Sequence, residues 1–233
     1  MTRKFIDLTR EMYHKMPTHP NHPPFTVTLW KSHKEVKHVD EIVFSSSSLF
    51  VTMGDHAGTH VDAPAHFNEA EDALTIDQVP LENFYTSAFC LDLSHIPLKS
   101  DIHISDLEEA ERASGEVISK GDTIFLYMGF NDRVKLGTPE YVSDFSGLTR
   151  ESARWLGEKG IVCFGVEAIS PGRPGRNNYL VHQACRDLSF THMECLVNLD
   201  KLVGIGRFQF IGFPLKIKGG TGSPIRAVAM IEE

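Results

Sequence analysis

Between positions 56 and 67 the chain reads His56-Ala57-Gly58-Thr59-His60-Val61-Asp62-Ala63-Pro64-Ala65-His66-Phe67. No continuous helix runs through this stretch, because Gly58 weakens a helix and Pro64 would stop one. The segment must be extended or turned, and the fold that holds it has to let its polar side chains converge. If it is extended, His60 and Asp62, two residues apart, project from one face. His56 must then reach the same point around Gly58. Imidazole and carboxylate are the ligands that zinc, manganese and iron share, so the pattern predicts a metal site. It is not the helical His-Glu-x-x-His arrangement, in which the histidines sit four apart and a glutamate acts as base. A purely structural histidine-rich loop accounts less well for His56, His60, Asp62 and His66 falling within eleven residues.

Two further ligand candidates come late in the chain: His182, within Tyr179-Leu180-Val181-His182-Gln183, and Glu194, within Thr191-His192-Met193-Glu194-Cys195-Leu196. A carboxylate among apolar neighbours is costly unless it is paired or bound to a metal. The competing reading puts Glu194 at a helix start, where the dipole favours negative charge. Arg173, Arg176 and Arg186 could grip an anionic substrate, although lone arginines more often face solvent. Cys185 and Cys195 stand near these positions. With Cys90 and Cys163 they form no Cys-x-x-Cys pair, and the expectation is reduced, buried thiols rather than nucleophiles. Gly219-Gly220-Thr221-Gly222-Ser223-Pro224 lacks the lysine of a phosphate loop and reads as a glycine-rich turn. The absence of Gly-x-Ser-x-Gly counts against a serine hydrolase of the α/β type.

A length of 233 residues suits one domain spanning 1–233 with a full hydrophobic core. The net charge of −8, with lysine and arginine scattered, argues against nucleic-acid and anionic-membrane surfaces and leaves small molecules as partners. The first residues lack the apolar stretch of a signal peptide, and no apolar run is long enough to span a bilayer, so a cytoplasmic protein is expected. Among the 12 histidines, His14, His33 and His38 sit with charged residues and read as solvated, while His95 and His103 flank a surface turn.

The local patterns are those of an α/β protein with a mixed sheet. Phe5–Leu8 and Phe25–Trp30 read as strands, Met16–Pro24 as an irregular loop because four prolines deny it a ladder, and Ser45–Met53 as an edge or partly exposed strand. Ala88–Leu93, Thr123–Met128 and Ile161–Val166 are the apolar runs of buried strands. Two helices separate them. One is predicted to start at Ser105, capped by that hydroxyl with Glu108, and to end before Gly115; the other runs from about Thr149 toward Gly160. Phe208–Leu215 and Ala227–Ile231 return to strand.

The form His-x-Gly-Thr-His-x-Asp-x-Pro-x-His-Phe resembles the signature of the metal-dependent cyclase-like hydrolase family, which includes bacterial kynurenine formamidase and isatin hydrolase. The likeness extends to Asp7-Leu8-Thr9 and Met16-Pro17 near the start, and to Asn198-Leu199-Asp200 and Pro214–Ala227 near the end. It implies a swivelling β/β/α-like fold with a β-barrel-like core, and a homodimer or higher homo-oligomer. It also implies that His56, His60 and Asp62 bind a divalent metal, zinc or manganese. In members with two ions Asp62 would bridge to a second ion held by His182 and Glu194, so one or two ions per subunit are expected. His66 matches the family's acid/base histidine, and its ordinary pKa near 6.5 suits that work. The activity implied is hydrolysis of an amide-type C–N bond, with N-formyl-kynurenine the best single substrate and cyclic amides such as isatin, or lactones, as alternatives. Family specificity resides partly in an aromatic residue after Met-Pro. His19 holds that place here and is expected to bind substrate, and neighbouring His22 could join it. The alternative of another class is a non-catalytic protein that binds a small ligand through the metal; His66 argues against it, since pure binding needs no acid/base group.

Overall fold

The computed structural model describes residues 2–232. The chain opens with β1 (Arg3–Asp7). After the proline-rich loop come β2 (Thr26–Lys31), β3 (Lys37–Val39), β4 (Ile42–Phe44) and β5 (Ser48–Thr52), which form an arm in which β2 pairs with β5 and β3 with β4. Then follow β6 (His60–Asp62), α1 (Pro64–Phe67), β7 (Tyr85–Asp92), β8 (Asp101–Ile102), α2 (Ile104–Ser114), β9 (Thr123–Tyr127) and α3 (Phe130–Arg133). The chain continues through β10 (Gly147–Leu148), α4 (Arg150–Glu158), β11 (Cys163–Val166), α5 (Arg176–Leu188), β12 (Thr191–Glu194), β13 (Phe208–Ile211), β14 (Gly222–Pro224) and β15 (Val228–Glu232).

The main sheet has nine strands in the order β1-β15-β13-β7-β9-β11-β12-β6-β14 and curls into a half-barrel. Its middle, β7-β9-β11-β12, is parallel, and each step is made by a crossover carrying a helix. The flanks are antiparallel, so the sheet is mixed. Strand alternation explains why the central runs are apolar throughout. Phe89, Leu91, Ile124, Leu126 and Phe164 face one core with Leu107, Leu156 and Val181 from the helices. The residues between them, Ala88, Cys90, Phe125 and Cys163, face a second core inside the curl with Val61, Met193 and Phe210. Among the described residues no helix is long and apolar enough to cross a membrane.

Three expectations are corrected. The first long helix starts at Ile104 rather than Ser105, because the Asp106 carboxylate accepts the His103 backbone N–H at 2.7 Å and closes the turn one residue earlier. Pro64 starts α1 instead of only barring a helix: at the first helical position its missing N–H costs nothing. Glu194 is not at a helix start but ends β12, where it pairs across the sheet with His60.

Candidate metal centre

Alternation on two neighbouring strands builds the floor of the site. β6 carries His60 and Asp62 on one face, and β12 carries His192 and Glu194 on the same side. The antiparallel register sets Glu194 opposite His60 and Met193 opposite Val61, which brings His192 beside Asp62. Three further histidines arrive from outside the sheet. His56 folds back over a turn in which Gly58 takes φ +65°, and Gly222 on β14 makes room for it: a Cβ there would stand 2.7 Å from His56 Cε1 and 2.9 Å from the Val61 carbonyl oxygen. His66 comes from α1, four residues after Asp62, and His182 from α5.

Asp62, 1 % exposed, is the hub. Its Oδ1 lies 2.8 Å from His56 Nδ1 and 3.4 Å from His60 Nε2. Its Oδ2 lies 3.3 Å from His192 Nε2, 3.7 Å from His66 Nε2 and 3.8 Å from His182 Nε2. Glu194 divides in the same way, with Oε2 at 3.5 Å from His60 Nε2 and Oε1 at 3.2 Å from His192 Nε2. Burial alone would raise the Asp62 carboxyl, but the imidazoles around it, His192 foremost, hold it well below the usual carboxylate range. Burial opposes a charge on His192 and His60, yet the facing carboxylates raise both rings. Burial lowers His66, helped by His56 and His192 and opposed by Asp62, and it lowers His182 as well.

The donor set fits a divalent metal. Two buried carboxylates meet with imidazoles as their ion partners, which is the nitrogen and oxygen chemistry of zinc and manganese sites. One donor atom from each of Asp62, His182, His192 and Glu194 lies within 4.8 Å of the others, and the same holds for His56, Asp62 and His66, so Asp62 belongs to both groups. Ring orientation agrees. His60 Nδ1 is 2.9 Å from the Gly58 carbonyl and His182 Nδ1 is 2.8 Å from the Asn178 carbonyl. A carbonyl only accepts, so each Nδ1 carries a proton and each Nε2 is left on the side of the carboxylates, where its lone pair would be available to an ion held between them, as in ligating histidines.

The cluster opens into a cavity of about 460 Å³ lined also by His19, His22, Phe67, Ile169 and Tyr179. The sequence candidates His56, His60, Asp62, His66, His182 and Glu194 therefore come together, and His19 stands in the cavity wall. His22 stacks on His56 with ring centres 4.9 Å apart. His192 escaped the sequence reading. The signal was present as His192-x-Glu194, the same two-residue spacing as His60-x-Asp62, but it becomes legible only once this stretch is known to be a strand. Arg173 is paired with Asp101 at 2.5 Å, Arg176 is exposed, and Arg186 reaches the cavity rim while bonded to Asp187. Burial raises the Cys185 thiol and pushes Cys195 up to about 12, so neither is a poised nucleophile.

Comparison with known proteins points the same way. Residues 6–173 match the Cyclase family model, described as "Putative cyclase". A kynurenine formamidase of Bacillus anthracis is 28% identical, covering 97% of each chain. An isatin hydrolase of Roseibium aggregatum is 30% identical over 78% of this chain and 74% of that protein. The solved structure of isatin hydrolase A from Ralstonia solanacearum superposes with a TM-score of 0.82 at 27% identity, covering 99% of this chain and 92% of that one.

Proposed function

From the premise that this chain belongs to the Cyclase family and is a metal-dependent hydrolase, we propose that it cleaves an amide-type C–N bond, with an aryl formamide such as N-formyl-kynurenine as substrate and tryptophan catabolism as its setting. The observation that carries this reading is Asp62, whose two oxygens face two separate sets of imidazoles at the base of one cavity. His56 and His60 with Asp62 Oδ1 would hold one ion, zinc or manganese. His182 and Glu194 with Asp62 Oδ2 would hold a second where two are bound. When bound, a divalent ion lowers the pKa of water from 15.7 to about 7 and polarises a carbonyl.

The remaining work falls to the chain's own groups. His66 Nε2 is 3.7 Å from Asp62 Oδ2 and its side chain is partly open to the cavity. Burial and the neighbouring histidines keep its ring neutral and ready to accept a proton. It takes that proton from the water that adds to the acyl carbon and returns it to the nitrogen as the C–N bond breaks, leaving a carboxylic acid and an amine. The Asp62 carboxylate, 3.7 Å away, favours the charged ring once the proton is taken up. His19, His22 and Phe67 line the cavity and offer aromatic faces against which an aryl group would stack. The likeness to isatin hydrolases supports a cyclic amide as the second substrate class, and the same groups would act on a lactone.

The arm supports the homodimer reading. Leu29, Trp30, Val43, Phe44, Leu49 and Phe50 are all more than half exposed on it, a patch that isolated chains rarely carry. Its tip bears Lys34 and Lys37 beside Asp40 and Glu41, charges that can pair reciprocally across a two-fold axis. A second copy of the chain is the proposed cover.

The substrate is tested by assaying aryl formamides, cyclic amides and lactones with zinc and with manganese. Aryl formamides are expected to give the highest kcat/KM, and turnover confined to lactones would overturn the amide assignment. His66→Ala is expected to retain metal and lose at least a hundredfold in kcat; full turnover with metal bound would remove His66 from its role.

A further inference from the structure

His192 is buried to 0 % exposure in an otherwise apolar slot, between Phe67 (ring centres 6.1 Å apart, 20° between planes) and Phe164 (5.5 Å, 29°). Its Nε2 nevertheless points at two carboxylate oxygens, Glu194 Oε1 at 3.2 Å and Asp62 Oδ2 at 3.3 Å. These separations sit at the long limit of an N–H···O hydrogen bond, about 2.7–3.2 Å. They match the spacing between neighbouring donors around a tetrahedral ion with bonds of about 2.0–2.1 Å, roughly 3.3 Å. The other nitrogen, Nδ1, faces the Cys185 sulfur at 3.8 Å. That contact plays the part the Gly58 and Asn178 carbonyls play for His60 and His182: it holds the ring edge-on and leaves Nε2 free. His182, whose ring stands perpendicular to that of His192 at 4.9 Å, completes the far side.

We propose that His192 is a direct ligand of a divalent metal ion, so that Asp62 Oδ2, His182, His192 and Glu194 Oε1 form a four-donor site. The proposal extends the metal-centre reading above by adding a ligand to it, and Cys185 then acts as a positioning residue for the His192 ring.

The test is cobalt(II) binding to the metal-stripped full-length protein, followed by titration and by proton NMR of the paramagnetically shifted, exchangeable imidazole N–H signals. His192→Phe preserves the stack between Phe67 and Phe164; His192→Gln keeps a polar group facing the carboxylates and carries the test if the first variant does not fold. Expected are a Kd for cobalt raised at least tenfold and the loss of one shifted N–H signal in either folded variant. An unchanged set of shifted signals, whatever the affinity, would show that His192 only hydrogen-bonds the carboxylates and would overturn the proposal. Absence of cobalt binding by the unaltered protein would overturn this proposal and the metal-centre reading together, whereas binding untouched by the variants would overturn this one alone.

Discussion

Glu167, immediately after β11, is 2 % exposed. Its carboxylate accepts the backbone N–H groups of Met128 at 2.7 Å, Phe130 at 3.1 Å and Asn131 at 3.3 Å, tying the β9–α3 turn to the parallel core. Burial raises its pKa above the ordinary 4.5, and those three donors only partly offset the shift. The folded chain therefore holds this proton more tightly than the unfolded one, and the stabilisation it gives is present at low pH and lost as pH rises from about 4.5 through the folded value. We predict that the stability of the unaltered protein relative to Glu167→Gln falls across that window in urea unfolding; a difference that is flat or rises with pH would contradict it. At this scale His56, His60, Asp62 and His66 were legible because their spacing is compact and their residue types are rare together. His192 was not, because a histidine between Thr191 and Met193 looks like part of an apolar run until its strand partner is known.

Helix α4 illustrates an element that the sequence announces clearly. Thr149 Oγ1 accepts the Ser152 backbone N–H at 3.1 Å, and Ser152 Oγ accepts the Thr149 N–H at 2.9 Å, so a reciprocal cap fixes the start expected near Thr149. Thr149→Ala is expected to cost about 1 kcal/mol, a fall in Tm of about 2–4 °C for a chain of this size, with metal affinity unchanged because the cap lies away from the metal-binding side chains. An unchanged Tm on thermal unfolding would refute the capping account. Helix α5 gave no such notice. It follows Gly175 without a side-chain cap, and in its first turn Asn177 and Asn178 have modest helix propensity. Its support is tertiary: Val181, Ala184 and Cys185 pack into the core beneath the helices. For the same reason His182 could be suspected as a ligand from its residue type but not placed.

The order of the sheet is the least legible feature at the scale of the molecule. β6 and β14 pair with each other although 162 residues separate Val61 from its partner Ser223, and β6 then adds to β12 beyond the parallel strands, a juxtaposition no local pattern encodes. The half-barrel curl was expected only from the likeness of motifs, whereas the α/β class and mixed sheet followed from the run lengths. The arm makes a separate prediction at this scale: sedimentation equilibrium should give a dimer or larger assembly, and Trp30→Glu with Phe50→Glu should shift it toward monomer, while a monomeric unaltered protein would contradict the covering role assigned to a second copy. The central claim is that the Asp62 cluster holds the ion on which hydrolysis depends. Its most direct test is the rate of N-formyl-kynurenine hydrolysis by protein stripped with a chelator, then reloaded, beside Asp62→Asn. The expected result is loss of turnover on stripping, recovery with zinc or manganese, and none with the variant; undiminished turnover by the stripped protein or by Asp62→Asn would contradict the account.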